Sequence, residues 1–256
     1  MKKAIYISAL MLLFSHQANA DETKVITLAT GEFPPHISEK LPEKGTFSEI
    51  VTRSFKNAGY KVELKFLPWK RAYNEAKMVK VDGTYSWTPK PKREKDFEFS
   101  DPIFVLERRI FVMKESSIHA DEIEELTGLR LCRPLAYTLH GKFEQMVANH
   151  EINLVRPPDM VTCFKFLKEG RVDFIELAYE EGITSARKAM GTLDLVRTLN
   201  FLPGQNPNSL GISHSHPQKD ELMAAFNTGL QQLRDSGDYD EIVRRHHLIF
   251  LDTLTN

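Results

Sequence analysis

Apolar and polar positions along the chain switch repeatedly between a period of two and a period near 3.6. Val25 to Thr30 is a short β-rich run, and Val62 to Phe66 alternates apolar with charged residues; both predict strands. Between them, Ile50, Val51, Phe55 and Ala58 line one face of a helix. Thr46-Phe47-Ser48-Glu49, a capping-box pattern, opens that helix and Gly59 closes it. Pro68 suits the first turn of a second helix running to about Met78, and Gly83 to Trp87 predicts another strand. Further on, Asp159 and Gly170 bracket a helix with Met160, Cys163, Phe164 and Leu167 on one face. Val172 to Leu177 reads as a buried strand, and Pro217 opens a helix with Leu222, Ala225, Phe226, Leu230 and Leu233 on one side. This β-α-β-α order predicts α/β layers around a mainly parallel sheet.

Two segments read as crossovers. Arg108 to Lys114 is an apolar run flanked by charge, ahead of an acidic helix expected at Asp121 to Leu126. Ser209 to Ser213 follows the loop Pro203-Gly204-Gln205-Asn206-Pro207-Asn208. Each is expected to carry the chain between two lobes. Residues 21–110 and 210–256 would then form the first lobe, from both ends of the chain, and 111–209 the second.

The N-terminus adds a compartment. Met1-Lys2-Lys3 is a positive start, Ala4 to Phe14 an apolar run too short to span a membrane, and Ala18-Asn19-Ala20 a cleavage pattern. Residues 1–20 read as a secretory signal peptide, with an uncleaved anchor as the other reading, and the mature chain is expected to start at Asp21. No later stretch reaches transmembrane length, so the mature chain is expected to be soluble outside the cytoplasm.

Composition narrows the function classes. With 41% hydrophobic and 27% charged residues, the 256-residue chain is an ordinary globular protein rather than a disordered, collagenous or multi-span membrane one. Its 34 basic and 35 acidic residues give a net charge of −1, so it lacks the dominant basic face of a nucleic-acid binder. No phosphate-binding glycine loop, H-E-x-x-H or G-x-S-x-G pattern occurs. His214-x-His216 and His246-His247 lack further ligands at useful spacing, so neither a metal nor a cofactor is expected. The chain has two cysteines. Cys132 ends the strand-like run Leu129 to Cys132, and Cys163 sits on an apolar helix face. In an exported chain they are expected to form a disulfide, the other reading being two buried thiols. Trp69, Tyr85 and Trp87 stand at strand ends or loops of the first lobe. They are read as either the wall of a small-ligand cleft or core packing.

The order of motifs resembles that of bacterial extracellular solute-binding proteins of family 3, the polar amino-acid-binding components of ABC transporters. The resemblance rests on Phe33-Pro34-Pro35, Leu67-Pro68-Trp69-Lys70-Arg71, Thr88-Pro89 with Arg93, and Phe99-Ser100-Asp101-Pro102. In the second lobe it rests on Gly128 to Tyr137 and on Leu167 to Asp173. It implies an α/β, type II periplasmic binding protein fold, with two lobes joined by two crossover strands that close over a small molecule. It implies a periplasmic, non-enzymatic, monomeric protein that passes its ligand to an inner-membrane ABC permease. An orphan sensor or scavenger, or a dehydratase-like enzyme using Glu176 or His140, are the alternatives. By the same resemblance Phe33 stacks on the ligand and Arg93 clamps its carboxylate, a role suited to the planar guanidinium fork. Tyr137 and Thr138 precede a helix expected to start near Leu139, where backbone N–H groups can hold an anion. Family members place an Asp for the ligand's ammonium group where this chain has Ala178; Glu176 is the candidate replacement. His36 is a further candidate for the cleft border, and Arg71 for bracing the first lobe.

Overall fold

The computed structural model describes residues 24–135, 137–139 and 141–255. The expected signal peptide, the Asp21 start and His140 lie outside the described residues. Among the described residues, ten strands run in chain order: β1 (Lys24–Thr30), β2 (Tyr60–Phe66), β3 (Gly83–Trp87), β4 (Phe97–Phe99), β5 (Phe104–Met113), β6 (Arg130–Cys132), β7 (Asn153–Val155), β8 (Phe174–Ala178), β9 (Val196–Thr198) and β10 (Gln205–Ser213). The helices are α1 (Thr46–Asn57), α2 (Trp69–Lys77), α3 (Pro91–Glu94), α4 (Lys142–Ala148), α5 (Met160–Lys168), α6 (Tyr179–Met190), α7 (Lys219–Asp235) and α8 (Asp238–Thr255). None of the described helices is long and apolar enough to cross a membrane.

The strands follow the path β2-β1-β3-β10-β5-β8-β6-β7. Strand β1 pairs in parallel with β2 and β3, and β6 pairs in parallel with β7 and β8. These two parallel blocks are the centres of two lobes. The long strands β5 and β10 join them, and every pair that either makes is antiparallel. The sheet is therefore mixed rather than mainly parallel, because the crossovers run against both blocks. Both crossovers also start earlier than their apolar runs. Gln205–Asn208, expected as loop, is strand paired with Phe104–Glu107, and this ladder forms the bridge between the lobes.

Each lobe covers both faces of its sheet. In the first, Leu28, Tyr85 and Leu210 pack with Phe47, Phe55, Phe226 and Leu230 of α1 and α7, while Ala29 and Phe97 pack with Ala72 and Ala76 of α2 on the other face. In the second, alternation along β5 sends Phe111 to one face with α5 and α6, and Ile110 and Val112 to the other with Phe143 and Met146 of α4. The C-terminal helix belongs to both lobes. Ile242 and Val243 pack into the first-lobe core, whereas Phe250 and Leu254 reach the second.

Several local expectations hold. Asp159 caps α5, its side chain accepting from the Thr162 amide at 2.7 Å. Cys132 on β6 and Cys163 on α5 form a disulfide, fully buried, with Cα atoms 5.6 Å apart. Others change. The capping box at Thr46 does not form: Gly45 takes the N-cap position and no side chain caps the helix. Glu49 instead accepts from Arg245 and His246 of α8 at 2.6 and 2.8 Å. Burial alone would raise its pKa; these two partners outweigh that and hold it below the ordinary value. The acidic helix is only a short 3-10 turn, Ile123–Leu126.

Candidate functional site

A cleft of about 410 Å³ opens between the lobes beside the β5–β10 ladder. The first lobe contributes an aromatic wall. Trp69 begins α2 and Trp87 ends β3, and their rings meet edge to face with centroids 5.2 Å apart. Tyr73 packs on Trp87 in the same way, also at 5.2 Å. The wall is pinned by its polar atoms: Trp69 Nε1 donates to the Glu32 carbonyl at 3.1 Å and Trp87 Nε1 to Thr84 Oγ1 at 2.9 Å. Gly31 makes room for it, since a Cβ there would lie 2.4 Å from the Trp69 ring. Phe33 completes the wall from the loop after β1.

Arg93, on α3, lies with its guanidinium 4.8 Å from the Trp87 ring centroid, a cation–π arrangement. Its Nη1 donates to the Thr88 carbonyl at 2.8 Å. The Nε and Nη2 groups make no hydrogen bond to the described residues, and Arg93 lines the cleft. That leaves the edge of the fork suited to a carboxylate. Burial lowers the Arg93 pKa somewhat, as expected for a cation drawn partly out of water.

The opposite wall comes from the crossovers and the second lobe. Arg108 of β5 and Arg133, which follows β6, both line it. Behind them lies Glu176 of β8, which is 2% exposed. Its carboxylate accepts from Arg108 Nε, from Arg108 Nη2 at 2.9 Å and from Arg133 Nη1 at 2.8 Å. Arg133 Nε also donates to the Thr138 carbonyl at 2.7 Å, which ties the 134–138 loop to the wall. Burial lowers the Arg133 pKa to about 10, with Glu176 opposing that shift. Tyr137 and Thr138 line the same side, and Tyr137 Oη donates to Glu181 of α6. Burial pushes the Glu181 carboxyl above its ordinary value. Asn208 lines the bridge between the walls, where its Oδ1 accepts from Ser86 Oγ at 3.3 Å.

The structure therefore brings Phe33, Trp69, Trp87, Arg93, Tyr137 and Thr138 to one cleft. It places the other candidates elsewhere. Tyr85 is fully buried in the first-lobe core, its hydroxyl 2.8 Å from Ser48 Oγ. Glu176 stands behind the cleft wall rather than in it, although two residues it holds are part of that wall. His36 is buried in a separate small pocket behind the bridge, with Phe104, Glu180 and His246. Arg71 braces nothing in the core; it makes an exposed pair with Glu75 at 2.7 Å. The helix after Thr138 begins only at Lys142, so its amides are not what Thr138 presents. Sequence reasoning missed Arg108, Arg133 and Glu181. The signal for Arg133 was available: an Arg directly after the apolar strand Leu129 to Cys132 must find a buried partner.

Two α/β lobes, two crossover strands and a polar, aromatic-walled cleft between them define the type II periplasmic binding protein fold. Residues 26–248 match the model for bacterial extracellular solute-binding proteins, family 3. The chain belongs to that family. It is 22% identical over 198 residues to the arginine-binding extracellular protein ArtP of Bacillus subtilis, covering 77% of this chain and 75% of that one. Among solved structures it resembles an ancestral arginine-binding protein bound to arginine, with a TM-score of 0.66 and 22% identity over 86% of this chain and 97% of the other. It also resembles a histidine kinase sensor domain with similarity to periplasmic binding proteins, with a TM-score of 0.64, 21% identity, and 88% and 96% of the two chains covered.

Proposed function

We propose that the protein captures a small carboxylate-bearing solute, an amino acid or related compound, by closing its lobes, and delivers it to an ABC permease after export to the periplasm. The observation that carries this reading is Arg93, stacked on Trp87 at the cleft with one edge of its guanidinium uncommitted to described residues. Closure removes water from the cleft, which strengthens an Arg–carboxylate contact while the rings cover the ligand's apolar part. The relatives support an amino-acid-like ligand, as two are arginine-binding proteins. Ala178, which lines the cleft, presents no carboxylate for an ammonium group, so des-amino analogues are expected to compete. The chemistry is binding rather than turnover, with the first lobe moving against the second.

The test is a thermal-shift screen of amino acids, organic acids, small peptides and sugars, followed by calorimetry on wild type and Arg93→Ala. Loss of a charged hydrogen bond of about 1.5–3 kcal/mol weakens binding at least tenfold. Neutral sugars bound equally well by both proteins would sink the clamp assignment. Co-purification with, or stimulation of, a reconstituted permease tests delivery.

A further inference from the structure

The cleft holds more positive charge than one carboxylate requires. Arg93 stands on the first-lobe wall, Arg108 and Arg133 on the opposite one. Arg108 and Arg133 are 5% and 1% exposed, and they share a single carboxylate, Glu176. One buried carboxylate neutralises one guanidinium, so this triad keeps a net positive charge next to the cleft. Glu181 is the other acid beside it: burial raises its pKa, while the hydrogen bond from Tyr137 Oη and the charges of Arg108 and Arg133 act the other way. Glu32 also lines the cleft but is exposed to solvent.

The triad also has donors to spare. Arg108 uses Nε and Nη2 on Glu176, and Arg133 uses Nη1 on Glu176 and Nε on Thr138. Asn206, with its amide oxygen turned to Arg108, accepts from Nη1 at 3.2 Å, which leaves the second Nη1 hydrogen. Arg133 Nη2 makes no hydrogen bond to the described residues. A positive group nearby responds to the same field: Lys90 has its pKa lowered by burial first, then by Arg93, with Arg133 and Arg108 adding to the effect and Glu144 opposing it.

We propose that the ligand carries two anionic groups, one held by Arg93 on the first lobe and the other by Arg133 and Arg108 on the second. This rests on the carboxylate-binding reading above and narrows it to small dianions, dicarboxylates first. It also supplies the driving force for closure. A ligand shifts the open–closed equilibrium only through interactions present in the closed state and missing from the open one. A dianion finds them at both walls, whereas a monoanion seated on Arg93 finds few at the second. Glu176 is then a positioning residue that aligns two guanidiniums without touching the ligand.

The experiment is calorimetry with matched pairs: succinate, glutarate, adipate and pimelate against butanoate, pentanoate, hexanoate and heptanoate, and L-glutamate against L-glutamine. At least one dianion is expected to bind ten or more times tighter than its partner. Arg133→Gln should abolish that preference, while Arg93→Ala weakens both members of the pair. Arg133→Lys, which keeps the charge but not the fork, should retain part of the preference. 4-Phosphonobutanoate in place of glutarate decides whether the second group is carboxylate or phosphoryl. Monocarboxylates or neutral amino acids binding as well as dianions, with dependence on Arg93 alone, overturn this inference and leave the binding reading standing. A dianion preference that survives Arg133→Gln overturns it too. Binding by no carboxylate at all overturns both. The wild-type comparison needs no variant, so it decides the matter even if Arg133→Gln does not fold.

Discussion

Replacing Glu176 by Gln removes one negative charge and almost no volume. The carboxylate sits 2% exposed and receives three guanidinium hydrogen bonds, two from Arg108 and one from Arg133. A Gln keeps one acceptor oxygen and turns an NH₂ group toward groups that can only donate. Two buried guanidiniums then lose the carboxylate they share. Breaking a buried ion pair from one side costs about 3–5 kcal/mol. For a chain of this size each kcal/mol lowers Tm by roughly 2–4 °C, so Glu176→Gln should lower it by about 6–20 °C. Ligand-free thermal unfolding followed by circular dichroism, with the disulfide intact, measures this. Arg133→Met supplies the control for sign. It leaves the Arg108–Glu176 pair neutral and should cost less than Glu176→Gln. Added to Glu176→Gln, it should relieve part of the damage, a coupling that a double-mutant cycle reads directly. A Glu176→Gln shift below about 2 °C, or an Arg133→Met that is the worse of the two, would refute the picture of one carboxylate balancing two guanidiniums.

Cys163→Ser opens a link between residues 31 apart in sequence and should cost ~3–4 kcal/mol of stability while leaving the affinity of the cleft unchanged, as denaturant melts and calorimetry would show. His36 is held neutral by burial, which lowers its pKa from 6.5 to about 3. Unfolding frees it to bind a proton, so its contribution is present above pH 6.5 and is lost as pH falls from there toward 3. His36→Phe, with Glu180 and His246 of the same pocket unchanged, should lose about 2 kcal/mol less than wild type between roughly pH 6.5 and 4.5 in parallel urea titrations. Gly31→Ala should displace Trp69, whose ring lies 2.4 Å from where the new methyl must go, and weaken ligand binding more than it lowers Tm.

The two-lobed α/β architecture was legible because the helices and parallel strands carry clean periods, and because Asp159 and Gly170 punctuate α5 as physics predicts. The cleft wall was legible where it depends on motif order: Phe33, Trp69, Trp87 and Arg93 meet at the cleft. Tyr85 was not. Two residues apart on a regular strand, Tyr85 and Trp87 should face the same way. Ser86 between them adopts φ 69°, and the register with β10 slips between Ser209 and Leu210, so Tyr85 enters the core while Trp87 turns to the cleft. Nothing in the local pattern signals that kink. Glu176 was obscured for a different reason. All five residues of β8 are buried, so alternation cannot say which face a residue serves. Its true partners are Arg108, 68 positions earlier, and Arg133, 43 positions earlier, contacts that only the tertiary fold creates.

Trp69 and Trp87 are the only tryptophans in the chain, and both line the cleft. The tryptophan emission of the protein is therefore a report on that cleft alone. The two indoles, edge to face at 5.2 Å, are close enough to exchange excitation, and one has a guanidinium over its ring. A ligand that excludes water from them should shift the emission, and the label-free signal would test the proposed lobe closure, a motion of the microsecond-to-millisecond class, without any engineered probe.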